Sequence, residues 1–293
     1  MKKILLWTIV AALLSLTRPV YGRELQVVTT FSILEDLVQQ VGGERVQVTS
    51  LIARGADPHV WEPTPRDARI VAQADLLVAN GGGFDDWLLG LVKNAARTDT
   101  PLVLASQDLA VLEHDHDHHH HEGDPHFWLS VPNAISYVEQ ITKALTLLSP
   151  DDALYFQERS REYVQGLLEL EEWMISELAR IPKENRVIVT YHNAFSYLAE
   201  RYGFDVAEFL VENPEAEPSP RDLARLVDLL KRMNTRALFT EPQLSGGTRY
   251  MNALAQEVGG KVYTLYSDSL SADVTSYVEL MRYNTRTLVE ALE

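Results

Sequence analysis

Short β-branched runs alternate with amphipathic helical stretches along this chain, in two sets separated by one long helical segment. That order limits the possible folds more than any other feature. The first set places candidate strands at 25–29, 46–51, 76–79 and 102–104, with helical patterns at 33–41, 65–74 and 84–95. Gly42-Gly43 stops the first helix and Pro65 opens the second. The second set has strands at 186–190, 206–210, 237–240 and 262–265, with helices at 194–202, 220–233, 247–258 and 273–292. Strands that alternate with helices feed parallel sheets covered by helices on both faces. The predicted class is α/β: two lobes with mainly parallel sheets, and a ligand site in the cleft between them.

The stretch between the sets reads as a linking helix over 149–181. Ser149 suits an N-cap, Pro150 a first turn, and Asp151-Asp152 the positive end of the helix dipole. Tyr163, Val164, Leu167, Leu168, Leu170, Met174, Ile175 and Leu178 keep a helical period, and Pro182 closes it. Thirty helical residues would extend ~45 Å, long for a helix inside one domain. A strut joining an N-terminal lobe (23–148) to a C-terminal lobe (182–293) accounts for that length. Ahead of the first lobe, Met1-Lys2-Lys3, an apolar run and a small residue at Gly22 form the pattern of a secretory signal over 1–22. The apolar run is short for a bilayer span. Export to a periplasm is the expectation, with the mature chain soluble because no cysteine is present to carry a lipid. The formal charge of −16 opposes a nucleic-acid partner, which needs a basic face.

With no cysteine there are no thiolate ligands, so a soft-metal site must be built from histidine. Nine histidines are present. His114, His116, His118, His119, His120 and His121 fall in one run, E-H-D-H-D-H-H-H-H-E, inside a predicted loop at 113–123. Such a run offers loose secondary capture of zinc, copper or nickel. His59, His126 and His192 stand apart. His59 and His126 share the pattern D-P-H-x-W, in which proline fixes the backbone and Asp57 or Asp124 can organise the turn or hold the second ring nitrogen. His192 ends a predicted strand, where ligand sites of parallel sheets lie. Glu241 and Asp268 also follow strands. Three imidazoles and one carboxylate suit Zn²⁺ at ~2.0–2.2 Å in a tetrahedron, whereas harder Mn²⁺ favours more carboxylate oxygens. Spacing leaves the acidic ligand as either Asp268 or Glu241. Gly81-Gly82-Gly83 follows a strand but lacks a neighbouring G-K-[ST], so it reads as a flexible turn.

Taken together, D-P-H-x-W-E-P-T-P-R-D, D-P-H-F-W-L, Y-H-N-A-F-S-Y-L-A-E-R-Y-G, F-T-E-P-Q and S-Y-V-E-L-M-R-Y-N-T-R-T-L resemble the metal-binding receptors of bacterial ABC importers, the ZnuA/TroA-type or cluster A-I family. The resemblance spans the mature chain. It implies two α/β lobes joined by one long helix, a metal in the cleft, a membrane permease as partner, and a monomer. Matched residue by residue, it implies His59, His126, His192 and Asp268 as metal ligands, with Glu241 beside the site. His192 stands where manganese receptors carry glutamate, which tilts the resemblance to its zinc branch, with delivery of Zn²⁺ for import. A manganese or broader divalent-metal receptor is the alternative. Two positions depart from the family pattern: Ser130-Val131-Pro132 follows D-P-H-F-W-L in place of D-P, and Ser269 replaces the common proline after Asp268. A zinc hydrolase with Glu241 as general base is disfavoured, because the chain has no H-E-x-x-H pair and a fourth protein ligand closes the position that catalytic zinc keeps open. The chain is therefore expected not to be an enzyme.

Overall fold

A computed structural model describes residues 23–112, 123–211, 214, 216–233 and 235–293. The predicted signal at 1–22 and the histidine run from His114 to His121 lie outside the described residues. The N-terminal half runs β1 (Leu25–Thr29), α1 (Ser32–Gly42), β2 (Val46–Ser50), α2 (Pro65–Gln73), β3 (Leu76–Ala79), α3 (Trp87–Ala95) and β4 (Leu102–Leu104). Its four strands are parallel in the order β2-β1-β3-β4. All four residues of β3 are buried, as expected for a central parallel strand covered on both faces. The start of α2 is a capping box: Thr64 accepts the Asp67 N–H at 3.4 Å while Asp67 accepts the Thr64 N–H at 2.8 Å, with proline in the first turn.

Two helices separate the sheets. Residues 131–148, where no element is predicted, form the 18-residue α4 (Val131–Leu148). The unusual Ser130-Val131-Pro132 is its opening, with proline at a position that needs no N–H, and Ala134, Tyr137, Val138, Ile141 and Leu145 face the core. The predicted linking helix is correspondingly shorter. Pro150–Asp152 is a 3₁₀ turn, and α5 (Ala153–Leu178) has 26 residues. Phe156, Leu167, Leu170, Met174 and Leu178 point inward, whereas Leu168 and Ile175 are exposed.

The second sheet repeats the first. It comprises β5 (Val187–His192), α6 (Ser196–Tyr202), β6 (Asp205–Val211), α7 (Pro220–Met233), β7 (Ala237–Thr240), α8 (Ser245–Val258) and β8 (Lys261–Thr264), parallel in the order β6-β5-β7-β8. In each sheet the order reverses beside the first strand, the switch point outside whose carboxyl end α/β proteins bind ligands. The last helix, α9 (Tyr277–Leu292), returns to pack on α5. Among the described residues no helix is long and apolar enough to cross a membrane.

One apolar core runs through both lobes, from Val27 and Ile33 past Phe156 and Leu170 to Ile188, Phe239 and Tyr277. Hydrogen bonds cross between the lobes as well. Trp128 donates its indole N–H to the Ser267 carbonyl at 2.7 Å, and its own carbonyl accepts the Tyr277 hydroxyl at 2.8 Å. Asp36 accepts the Tyr277 N–H at 2.7 Å, Ser32 accepts the Leu270 N–H at 2.9 Å, and Ser269 accepts the Gly55 N–H at 2.8 Å. Ser269, the departure from the family's proline, thus supplies a bond between lobes. Trp128→Phe removes the indole N–H and its five-membered ring, leaving a buried carbonyl unpaired beside a small gap, so a loss of at least about 1–3 kcal/mol is expected in equilibrium denaturation. An unchanged midpoint would show that neither this bond nor the packing of the indole contributes net stability.

Candidate metal centre

The two D-P-H turns have a common cause. In each, the aspartate reaches over the proline to accept the histidine N–H: Asp57 from His59 at 2.9 Å and Asp124 from His126 at 2.8 Å. Asp124 also meets the His126 Nδ1 at 2.7 Å, which fixes the ring and turns Nε2 toward the cleft. Asp57 organises only the backbone of its turn. His192, the last residue of β5, is oriented differently, through Nδ1 against the Glu241 carboxylate at 2.9 Å. Glu241 directly follows β7, so neighbouring strand ends supply the imidazole and its support. Asp268 lies beyond β8, on the segment that crosses to the first lobe. Gln243 donates to Asp268 Oδ2 at 3.2 Å and to the adjacent Ser267 hydroxyl at 2.8 Å.

These supports bring one donor atom each from His59, His126, His192 and Asp268 within 4.8 Å of one another. Asp268 is the hub. Its carboxylate oxygens lie 3.4 Å from the His59 Nε2, 3.4 Å from the His126 Nε2 and 3.6 Å from the His192 Nε2. A tetrahedron of ligands about 2.1 Å from an ion has edges of about 3.4 Å. The three Nε2 atoms and Asp268 Oδ1 are buried without a hydrogen-bond partner among the described residues. Four unsatisfied polar atoms facing one another would be costly unless an ion satisfied them. His126, His192 and Asp268 are buried, while the His59 side chain keeps 15% of its surface exposed. The site therefore opens on the side of the loop carrying His59.

Charge in the site is tightly coupled. Burial pushes the Asp268 carboxyl up, but the imidazoles of His126, His192 and His59 outweigh it and hold the group well below the usual carboxylate range. Burial pushes His192 down, yet the Glu241 and Asp268 carboxylates dominate and raise it to about 9. Glu241 is itself raised by burial, which the neighbouring His192 only partly offsets. At neutral pH the His192–Glu241 pair thus holds a proton that an ion at Nε2 must displace.

Several supporting residues carry no signal in the sequence pattern. Gly81, Gly82 and Gly83 all have positive φ, at 86°, 62° and 87°, so the turn needs glycine. It is braced where a flexible turn is predicted. Asp85 accepts the N–H groups of Asn80 at 2.6 Å and Gly81 at 2.9 Å, and the Thr30 hydroxyl at 2.8 Å. Asn80 in turn accepts the Tyr137 hydroxyl and donates to the Pro125 carbonyl at 2.9 Å, steadying the turn that carries His126. The brace also sets Phe84 edge-on to His59, with ring centroids 5.4 Å apart.

Comparison with known proteins gives the family and the fold. Residues 27–291 match the family model described as ZnuA, zinc-uptake complex component A, periplasmic. The manganese-binding lipoprotein MntA of Halalkalibacterium halodurans is 35% identical over 273 residues, covering 92% of this chain and 89% of the relative. Among solved structures, a manganese-bound periplasmic metal-binding protein from Candidatus Liberibacter asiaticus superposes with a TM-score of 0.81 at 27% identity, covering 92% of this chain and 100% of the other. The periplasmic zinc-binding protein TroA of Treponema pallidum gives a TM-score of 0.82 at 26% identity, covering 92% of this chain and 99% of the other. A fold, a match across nearly the whole chain and a buried three-histidine, one-aspartate cluster converge. The chain belongs to the ZnuA family of periplasmic metal-binding receptors that serve bacterial ABC importers.

Proposed function

We propose that this chain captures a divalent transition-metal ion through the Nε2 atoms of His59, His126 and His192 and a carboxylate oxygen of Asp268, and delivers it to a membrane permease. The observation that carries this reading is the convergence of one donor atom from each of the four side chains within 4.8 Å, with the three Nε2 atoms and Asp268 Oδ1 buried and unsatisfied among the described residues. The relative in Halalkalibacterium halodurans is named manganese-binding, which favours a manganese or broad divalent cargo. The donor set favours zinc, because three imidazoles suit a borderline ion. Both fit one account. For a fixed N/O site the divalent affinities rise from manganese toward zinc, so availability as well as affinity decides what is carried. The receptor is therefore read as a divalent-metal receptor that binds zinc more tightly than manganese.

Competition titrations on protein lacking residues 114–121 test this, with zinc expected to bind at least roughly 100-fold more tightly than manganese. Equal affinities would make manganese the better assignment for the cargo. The shared core and the bonds between lobes support a modest rearrangement on loading. A large lobe rotation between metal-free and loaded crystals would overturn that expectation. For placement, the reading is export with removal of 1–22 and action as a monomer. The relative in Halalkalibacterium halodurans is named a lipoprotein, whereas these 293 residues hold no cysteine to which a thioether lipid could attach.

A further inference from the structure

Helix α9 carries a residue that the site, as described, does not use. Asn284 is fully buried, and its carboxamide clasps both backbone groups of one residue. Oδ1 accepts the Tyr266 N–H at 2.8 Å, and Nδ2 donates to the Tyr266 carbonyl at 2.7 Å. Tyr266 stands two positions before Asp268, at the point where the chain leaves β8 and turns toward the first lobe. The sheet's hold on this strand ends just upstream, where the Leu265 N–H donates to the Thr240 carbonyl at 3.0 Å. Past that bond, among the described residues, the backbone of 266 and 267 is held from outside the sheet, by Asn284 on Tyr266 and Trp128 on the Ser267 carbonyl.

We infer that Asn284 is a positioning residue for the metal site: by pinning both backbone groups of Tyr266 it sets where the Asp268 carboxylate meets the three imidazoles. This rests on the assignment of Asp268 as a ligand. The chemistry suits the task. A carboxamide offers a donor and an acceptor side by side and carries no charge at any pH, matching the N–H and C=O of a single residue. Being neutral, it adds no charge beside a carboxylate that must stay ionised. Tyr283, the preceding residue on α9, sets its ring edge-on to Tyr266 at 5.1 Å between centroids, so the helix holds that residue by side chain as well as backbone.

The test compares Asn284→Ala, Asn284→Asp, Asp268→Ala and, as a control on the same helix, Thr285→Val. Thr285 is also buried, but its hydroxyl bonds only within α9, to the Met281 carbonyl at 2.8 Å. Zinc affinity is measured by chelator competition, thermal stability without metal by calorimetry, and ligand geometry by the visible spectrum of the cobalt-loaded protein. Supports of metal ligands typically contribute 10–100-fold in affinity, so Asn284→Ala is expected to weaken zinc by about that factor and to move the cobalt spectrum toward that of Asp268→Ala. Thr285→Val is expected to leave both unchanged. Asn284→Asp, whose protonated form restores an O–H donor beside an acceptor, is expected to retain more affinity than alanine, and it carries the test if the alanine variant fails to fold. If Asp268→Ala weakens zinc while both Asn284 variants bind and absorb as wild type, Asn284 is merely structural and the inference is overturned. Unchanged affinity in Asp268→Ala would instead overturn the ligand assignment, and the inference with it.

Discussion

Asp268→Ala is expected to lower zinc affinity by roughly 10²–10³-fold while leaving the fold intact. The four-ligand zinc sites of small domains are worth about 10–16 kcal/mol, so an equal share is about 2.5–4 kcal/mol per ligand. Asp268 is the hub that all three Nε2 atoms face at 3.4–3.6 Å, and it supplies the ligand charge that offsets a dication. Its share should therefore lie at the upper end of that range. Competition against a chelator of known affinity measures it. A loss of less than about threefold would mean that the ion does not engage Asp268, given the per-ligand share just estimated.

The second large effect is on pH. In the metal-free protein His192 is raised to about 9 by Glu241 and Asp268 against the opposing pull of burial. A metal ion needs a bare Nε2, so binding at neutral pH must expel a proton. Zinc affinity is expected to rise about tenfold per pH unit between pH 7 and 9 and to level off above about 9. Stability of the metal-free protein runs the opposite way. A histidine raised from its ordinary 6.5 contributes fully below pH 6.5 and loses that contribution as the pH climbs through about 9, a change of order 3 kcal/mol. The gap between loaded and metal-free melting temperatures should therefore widen across this window. Calorimetry in buffers of different ionisation enthalpy counts the expelled protons directly, with about one per ion expected near pH 7.5. Glu241→Gln removes the carboxylate with the largest upward pull on His192, so the plateau should move to lower pH. Affinity that stays flat from pH 7 to 9, with no buffer-dependent heat, would show His192 to be neutral in the free protein.

Much of the site was legible because its local causes are short. Asp-Pro-His fixes a turn within three residues, and the same five-residue pattern around His59 and His126 marks both. His192 was legible through the strand it ends. The choice between Glu241 and Asp268 was not legible from spacing, because both follow strands, and rested on the family resemblance. It depends on where the chain goes next: Glu241 stays beside β5 and holds His192, whereas the segment with Asp268 crosses to Trp128 and Ser32. Asn284 and Asn80 clasp backbone far away in sequence, an arrangement that leaves no period or motif. The missed helix α4 has a different cause. Its Ser130-Val131-Pro132 opening resembles a turn until proline is read as the first turn of a helix, and Ser149-Pro150, which has the residues of a helix start, is the 3₁₀ corner between two helices.

The position of the bound ion decides whether these four residues are the site. Anomalous diffraction at the zinc edge, from loaded crystals of protein lacking residues 114–121, locates it directly. One strong peak is expected in the cleft, ~2.0–2.2 Å from the Nε2 atoms of His59, His126 and His192 and from an Asp268 oxygen. A peak elsewhere, or none from protein that retains tight zinc in solution, would contradict the assignment of these four residues as the site.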